Sequence, residues 1–197
     1  MNTNDTLTAR LDRIESIQAI QQLAIRYAVA VDSRDLDAWL ALFPDDVDCG
    51  KRGRGREALR GFIAPLLKDF YRTVHFVCGH QIDLQSADEA TGRVYCRAEH
   101  ERGDEWIVQA ICYFDSYVRK DGVWYFARRE EDFFYSADLL ERPQQTGFAR
   151  WPGPAPKFQP KMMVSRFQTW RDFWAESGEA DLQAITDQPG PRRTERT

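Results

Sequence analysis

The chain has 197 residues and three histidines, His75, His80 and His100. All three lie downstream of an acid, Asp32, that stands where a run of helical periodicity ends. Imidazole is the one side chain whose ordinary pKa, about 6.5, lets it take and give a proton near neutrality. A carboxylate on one ring nitrogen fixes the tautomer and leaves the other nitrogen free to act as a base. A fold that brings Asp32 to one of these rings would therefore hold an acid/base site. Other chemistries have weaker support. A zinc site built from the histidines would need convergent geometry, and no HExxH or paired cysteine spacing is present. No GxSxG elbow points to a serine hydrolase. The run from Gly50 to Arg56 (GKRGRGR) lacks the Gly-Lys-Ser/Thr ending of a phosphate loop and reads as a solvated loop.

These groups must be carried by defined elements. Leu11, Ile14, Ile17, Ile20, Leu23, Ala24, Ala28 and Val31 recur at helical spacing, which predicts an amphipathic helix with one buried face ending near Asp32. Asp32, Ser33 and Asp35 are capping residue types, and Leu36, Trp39, Leu40 and Phe43 predict a short second helix that stops at Pro44. On this reading Asp32 could simply cap that helix, with Asp35 imitating a capping box. Residues Arg56 to Phe70 read as a third helix, interrupted by Pro65. From Thr73 the pattern becomes β-branched and aromatic, predicting strands over Thr73–Leu84, Thr91–Glu101, Trp106–Arg119 and Val123–Phe134. Turn residues separate them, as in Arg102-Gly103-Asp104 and Lys120-Asp121-Gly122. Helices followed by an antiparallel meander imply an α+β fold, a curved sheet closed by helices around a hollow.

Composition narrows the partners. An apolar content of 43% with 13% aromatics supports one substantial core. The net charge of -4 offers no basic surplus for nucleic acid, and no apolar run has the length a membrane span requires. Without a signal-peptide core, and with Cys49, Cys78, Cys96 and Cys112 showing no metal or redox spacing, the expectation is a cytoplasmic protein with reduced thiols. The organisation expected is a domain over 1–135, an aromatic C-terminal arm with a short helix over 136–187, and a polar, disordered tail over 188–197. Phe148, Trp151, Phe158, Phe167, Trp170, Phe173 and Trp174 give the arm its aromatic character, with a short helix expected over Met162–Ser177.

Strand parity adds orientation, because successive side chains point to opposite faces. On the second strand Val94, Cys96, Ala98 and His100 form an apolar stripe, so His100 points inward. His75 and His80 fall on opposite faces unless a bulge intervenes, and His80 is expected to pack or hydrogen-bond. Which way His75 points stays open, because both stripes around it contain apolar residues. Cys78, Cys96 and Cys112 share even parity and read as small core residues.

The run from Tyr27 to Phe43 (YAVAVDSRDLDAWLALF), Gly55-Arg56-Glu57 opening the third helix, His75 early in a strand, and Asp121-Gly122-Val123-Trp124 before the last strand resemble the NTF2-like superfamily. The likeness spans Leu11 to Phe134 and is greatest to its SnoaL-like, scytalone-dehydratase-like branch. It implies a cone of helices packed into a curved sheet. That fold hosts dehydratases, isomerases, cyclases, dioxygenase small subunits and non-catalytic binding proteins. Within the branch it implies a catalytic set of Asp32, His75, His100 and Tyr27. His75 would be the base, with His100 or Tyr27 polarising a carbonyl or protonating a leaving oxygen. Tyr27 and Asp32 lie about 140° apart around an ideal helix and converge only if the helix end opens. An Arg on the last strand is also implied; of Arg128 and Arg129, the latter is favoured as a substrate-binding residue, alongside Trp39 and Tyr113. A structural ion pair of Arg129 with Glu130, Glu131 or a helix acid is an equal alternative. The implied reaction is elimination of water, or of formaldehyde by a retro-aldol-like step, from a hydroxylated aromatic or polycyclic small molecule, with no metal or organic cofactor. A homotrimer, or else a dimer, and an arm that closes over the hollow or packs on a neighbouring subunit complete the expectation. The competing functions are the small subunit of a ring-hydroxylating dioxygenase and a SnoaL-like isomerase or cyclase.

Overall fold

The computed structural model describes residues 3–140 and 166–173. Its elements run α1 (Thr3–Ser33), α2 (Leu36–Leu40), a 3-10 turn (Gly50–Arg52), α3 (Arg56–Leu67), β1 (Arg72–Leu84), β2 (Glu89–Arg102), β3 (Glu105–Lys120) and β4 (Val123–Asp138). The strands form one antiparallel sheet in the order β1-β2-β3-β4. This is the α+β architecture read from the sequence, with β4 running four residues past its expected end at Phe134. No helix among the described residues is long and apolar enough to cross a membrane.

Helix α1 buries Ile20, Leu23, Ala24, Ala28, Ala30 and Val31 against the sheet. Its first half does not follow the expected buried face, since Leu11 and Ile14 remain exposed. The side chains that face the sheet there are Asp12, whose carboxylate pairs with Arg119 of β3 at 2.7 Å, and the buried Ser16, so Leu11 and Ile14 point away from it. At the other end α1 stops in a Schellman motif: Asp35 N–H donates to Ala30 O (2.9 Å) and Arg34 N–H to Val31 O (3.1 Å). The left-handed position is held by Arg34 (φ 61°) where glycine is usual. Asp35, not Asp32, caps α2, its Oδ1 accepting from Ala38 N–H at 2.9 Å. The capping explanation of Asp32 therefore falls, and its carboxylate is free for other partners. Arg56 fastens α3 to the end of the α2 segment by donating from Nε and Nη2 to Phe43 O (2.9 and 2.6 Å).

Three bulges curve the sheet. One places an extra residue, Cys78, in β1 between the pairs Val77↔Cys96 and Gly79↔Tyr95. Two fall in β4 opposite Ala110/Ile111 and Ser116/Tyr117. A bulge bends the strand and reverses the parity beyond it. Consequently His75, paired with Ala98, and His80, paired with Val94, both lie on the concave face with the buried stripe of β2. The parity expected of His80 is corrected by this one residue. Cys78 itself is exposed, and Cys112, paired with Tyr95, lies on the opposite face from Cys96. The three cysteines share no stripe.

The concave face contains a buried ionic chain. Arg129 Nε and Nη2 donate to Asp115 Oδ1 and Oδ2 at 2.9 and 2.7 Å. Tyr117 donates to Asp115 Oδ2 at 2.8 Å, and His80 Nε2 meets the Tyr117 oxygen at 2.9 Å. Because the Tyr117 proton goes to Asp115, His80 Nε2 carries the hydrogen and Nδ1 is bare. Burial pushes His80 down to about 4, so the ring is neutral. The guanidinium also lies over Tyr27, Tyr113 and Phe126 at 4.3, 4.1 and 4.2 Å from their ring centroids. Gly92 makes room for this chain, since a Cβ there would stand 2.7 Å from Gln81 O, 3.1 Å from the Tyr117 ring and 3.2 Å from His80 Nε2.

The convex face receives residues 166–173, of which 168–173 are helical. Arg166 pairs with Asp132 and Glu130 and lies 3.8 Å over the Phe114 ring, and Phe167 contacts Phe114. This part of the expected arm covers the outside of the sheet and not the hollow. The rest of the arm, with Phe148, Trp151, Phe158 and Trp174, and the tail over 188–197 lie outside the described residues.

Two stability measurements check this account. Gly92→Ala should cost ~1–3 kcal/mol in urea unfolding, because the close contact is with backbone and a buried ring. Asp115→Ala should cost about 3–5 kcal/mol, because it leaves the Arg129 charge buried and unpaired.

Candidate functional site

Asp32 occupies the last turn of α1, and the Schellman ending turns its carboxylate toward β1. Oδ1 accepts from Thr73 Oγ1 (2.9 Å) and meets His75 Nδ1 at 2.7 Å, while Oδ2 accepts from the His75 backbone N–H at 2.9 Å. Burial pushes this carboxyl up, but the hydrogen bonds from the His75 ring and backbone, the His75 charge and the Thr73 hydroxyl outweigh it and hold it below its ordinary value. Thr73 is itself oriented by Arg34, whose Nη1 donates to Thr73 Oγ1 (2.9 Å) and to Val31 O (2.7 Å) and whose Nη2 donates to Phe70 O (3.1 Å).

A carboxylate on Nδ1 makes that nitrogen the N–H and leaves Nε2 with the lone pair. The His75 side chain is 7% exposed, and no described residue bonds Nε2. The bare nitrogen therefore faces the hollow as an oriented base. The sequence left the direction of His75 open; the pairing with Ala98 places it on the concave face.

His100 is buried there too, edge-on to His75 (centroids 5.7 Å apart) and stacked on Phe70 (4.3 Å). Its Nε2 lies 2.9 Å from Gln109 Oε1, and Gln109 Nε2 donates to Ser136 Oγ at 3.3 Å. With the Gln109 amide so oriented, Nε2 is the N–H and Nδ1 is a buried acceptor with no hydrogen-bond partner. Burial, then the His75 charge, pushes this ring down to about 4. His100 thus adjoins the base as expected, as a neutral ring whose Nε2–H is turned to Gln109.

The remaining candidates separate from the dyad. Tyr27 packs on Trp39, Tyr113 and Phe126 and lies under Arg129; no hydrogen bond links it to Asp32 or His75. Helix α1 stays regular through Ser33, so the two positions do not converge. Burial pushes the Tyr27 hydroxyl up to about 12, which keeps it protonated. Trp39 and Tyr113 are 3% exposed each and belong to the core beside Tyr27. Arg129 is the concave-face arginine and Arg128 the exposed one, but Arg129 is held by Asp115 and three rings. Trp39, Tyr113 and Arg129 therefore pack together around Tyr27 on the concave side of the sheet. The Arg129 partner is Asp115, not the acids proposed from sequence. Among the described residues no three His, Cys, Asp or Glu groups converge on a metal-sized site.

Sequence reasoning missed Arg34 and Asp115. The signal for Asp115 was an acid at an inward position of an apolar strand, between Tyr113 and Tyr117. Glu131 was named only as an ion-pair partner for Arg129; it shares the concave stripe with Arg129 and Phe133 and is open to solvent.

Comparison with known proteins agrees with this architecture. The family described as the SnoaL-like domain matches residues 12–130. Hexachlorocyclohexane dehydrochlorinase 1 of Sphingobium indicum is 30% identical over 121 residues, covering 58% of this chain and 79% of that protein. The crystal structure of a type 2 hexachlorocyclohexane dehydrochlorinase superposes with a TM-score of 0.61 at 26% identity, covering 68% of this chain and 95% of that one. A scytalone-dehydratase-like protein of Novosphingobium aromaticivorans gives 0.57 at 26% identity, covering 66% and 92%. With its cone of helices and curved sheet and a family match across more than half its length, the chain belongs to the SnoaL-like domain family of the NTF2-like fold.

Proposed function

We propose that this protein is a lyase that eliminates water from a hydroxylated aromatic or polycyclic small molecule. His75 Nε2 removes a carbon-bound proton beside a carbonyl or phenolic ring, a carbon–carbon double bond forms, and the adjacent carbon–oxygen bond breaks. The observation that carries this reading is the 2.7 Å contact of Asp32 Oδ1 with His75 Nδ1, which orients a base with its free nitrogen toward the hollow. The depressed Asp32 carboxyl also stabilises the imidazolium that forms when His75 accepts the proton. The chemistry calls on no cofactor, because both proton transfers can be made by side chains. Release of formaldehyde by a retro-aldol-like step would use the same base. The matched dehydrochlorinases are named for elimination of a different leaving group, which supports elimination as the reaction type and makes loss of hydrogen chloride the second reading.

Mass spectrometry of hydroxylated aryl and polyketide compounds tests the reading, since loss of water, formaldehyde or hydrogen chloride and conservation of mass are all distinct. Asp32→Asn and His75→Ala should each lower kcat/KM by ~10²- to 10⁴-fold. Unchanged turnover in both variants would defeat the assignment. Stable co-purification with an iron-containing large subunit would instead favour the dioxygenase small subunit. A further expectation concerns acid stability. Asp32 has a folded pKa below its unfolded one, so its contribution is present above the ordinary Asp range near 3.9 and is lost as pH falls through the folded value. The stability gap between wild type and Asp32→Asn should narrow on acidification through that window, as followed by denaturation at a series of pH values.

A further inference from the structure

Elimination of water moves two protons, and the dyad handles one of them. A hydroxyl bound to carbon leaves poorly as hydroxide, so the departing oxygen needs a proton of its own. His100 does not supply it, because its N–H is bound to Gln109 and the ring is neutral. Of the other carboxyls on the concave face, Asp115 is locked to Arg129 and Asp138 accepts from the backbone N–H groups of Trp106 and Leu140.

Glu131 is different. It stands opposite Tyr113 in the β3–β4 register, and no described residue gives it a hydrogen bond or ion pair. Groups on every wall of the hollow are electrostatically coupled to it: Tyr27 on α1, His75 on β1, Cys96 on β2, Tyr113 on β3, and Arg129 and Asp132 on its own strand. Its side chain is nevertheless open to solvent. The register therefore sets an exposed carboxyl with no hydrogen-bond partner among the described residues on the concave face, beside Arg129 and Phe133 and opposite Tyr113.

We propose that Glu131 is the proton donor to the leaving oxygen, on the opposite wall of the hollow from the His75 base. The role rests on the elimination reading above and specifies its leaving group as hydroxyl. The carboxyl O–H proton passes to the substrate hydroxyl as the carbon–oxygen bond breaks, and water departs. His75 Nε2 takes the carbon-bound proton, whose bonding pair becomes the new double bond. The imidazolium and the Glu131 carboxylate then exchange one proton through solvent, which restores both groups. Burial pushes the Glu131 carboxyl above its ordinary value, against the opposing charges of His75 and Arg129, so the acid form persists to higher pH than on an open surface. A halide leaves without a proton, so a halide eliminase has no use for this group.

The test compares β-hydroxytetralone with β-chlorotetralone, which both give naphthol, in wild type, Glu131→Gln and His75→Ala. In Glu131→Gln the ratio of hydroxy to chloro turnover should fall by ~10²-fold or more, while His75→Ala should depress both reactions. In wild type the hydroxy reaction should decline as pH rises through the titration of Glu131, and the chloro reaction should show no such decline. An unchanged ratio in Glu131→Gln overturns the donor role and leaves the dyad standing. Wild-type protein that turns over neither compound overturns the elimination reading, and the donor role with it. Chloro turnover by Glu131→Gln shows that the variant is folded.

Discussion

The site depends on one carboxylate joining a helix end to an edge strand. Asp32 takes three hydrogen bonds from β1, two from His75 and one from Thr73. Its position in the last helical turn is otherwise unfavourable for a negative charge, because unpaired carbonyls give a helix C-terminus a partial negative charge. The donors from β1 offset that repulsion, and the Arg34 guanidinium adds a positive charge by capping Val31 O and Phe70 O. The same contacts that hold the strand to the helix therefore set the tautomer of the base. Packing and chemistry share one set of atoms, so a change that loosens the helix end also misdirects the imidazole.

The concave face divides its polar groups into two sets. Around Asp115 and Arg129 the charged groups are matched and aromatic rings cover the guanidinium, while the neutral His80 ring at the end of the chain keeps a bare Nδ1. Around His75 and Glu131 the groups retain unmatched atoms. A buried ion pair adds little net stability over apolar packing, but it rejects rearrangement because either partner alone would be a stranded charge. Here the closed set holds Tyr27 and Tyr113 in place as a stiff wall. The open set can then be exposed to a ligand without the sheet collapsing onto it.

Much of this could be read in the sequence, and what could not has identifiable causes. Helical periodicity and turn residues marked the order of elements, and alternation on β2 pointed His100 inward, because those signals are local. Asp32 and His75 emerged from a residue pattern shared with a known superfamily. The facing of His75 and His80 could not be read, since it depends on the extra residue at Cys78, and register is a property of two strands together. Arg34 was missed because a left-handed non-glycine residue carries no sequence signature. The tautomer of His100 was hidden for a related reason: it is set by Gln109, a partner on another strand. Leu11 and Ile14 carry the correct period for burial, but the helix turns Asp12 and Ser16 to the sheet and leaves them exposed.

The bulge at Cys78 also divides β1 into two inheritable halves. Before it, the concave face reads Thr73, His75 and Val77; after it, His80, Ile82 and Leu84. The first half holds the base and the second holds the end of the ionic chain. Insertions or deletions of a single residue are usually ruinous in a strand because they invert everything downstream. In this strand the inversion is already built in, with an exposed residue at the seam, so the length of the segment, and not only its residue types, encodes which histidine shares the hollow with the other. Alignments that close a gap at this point would equate residues that face opposite ways.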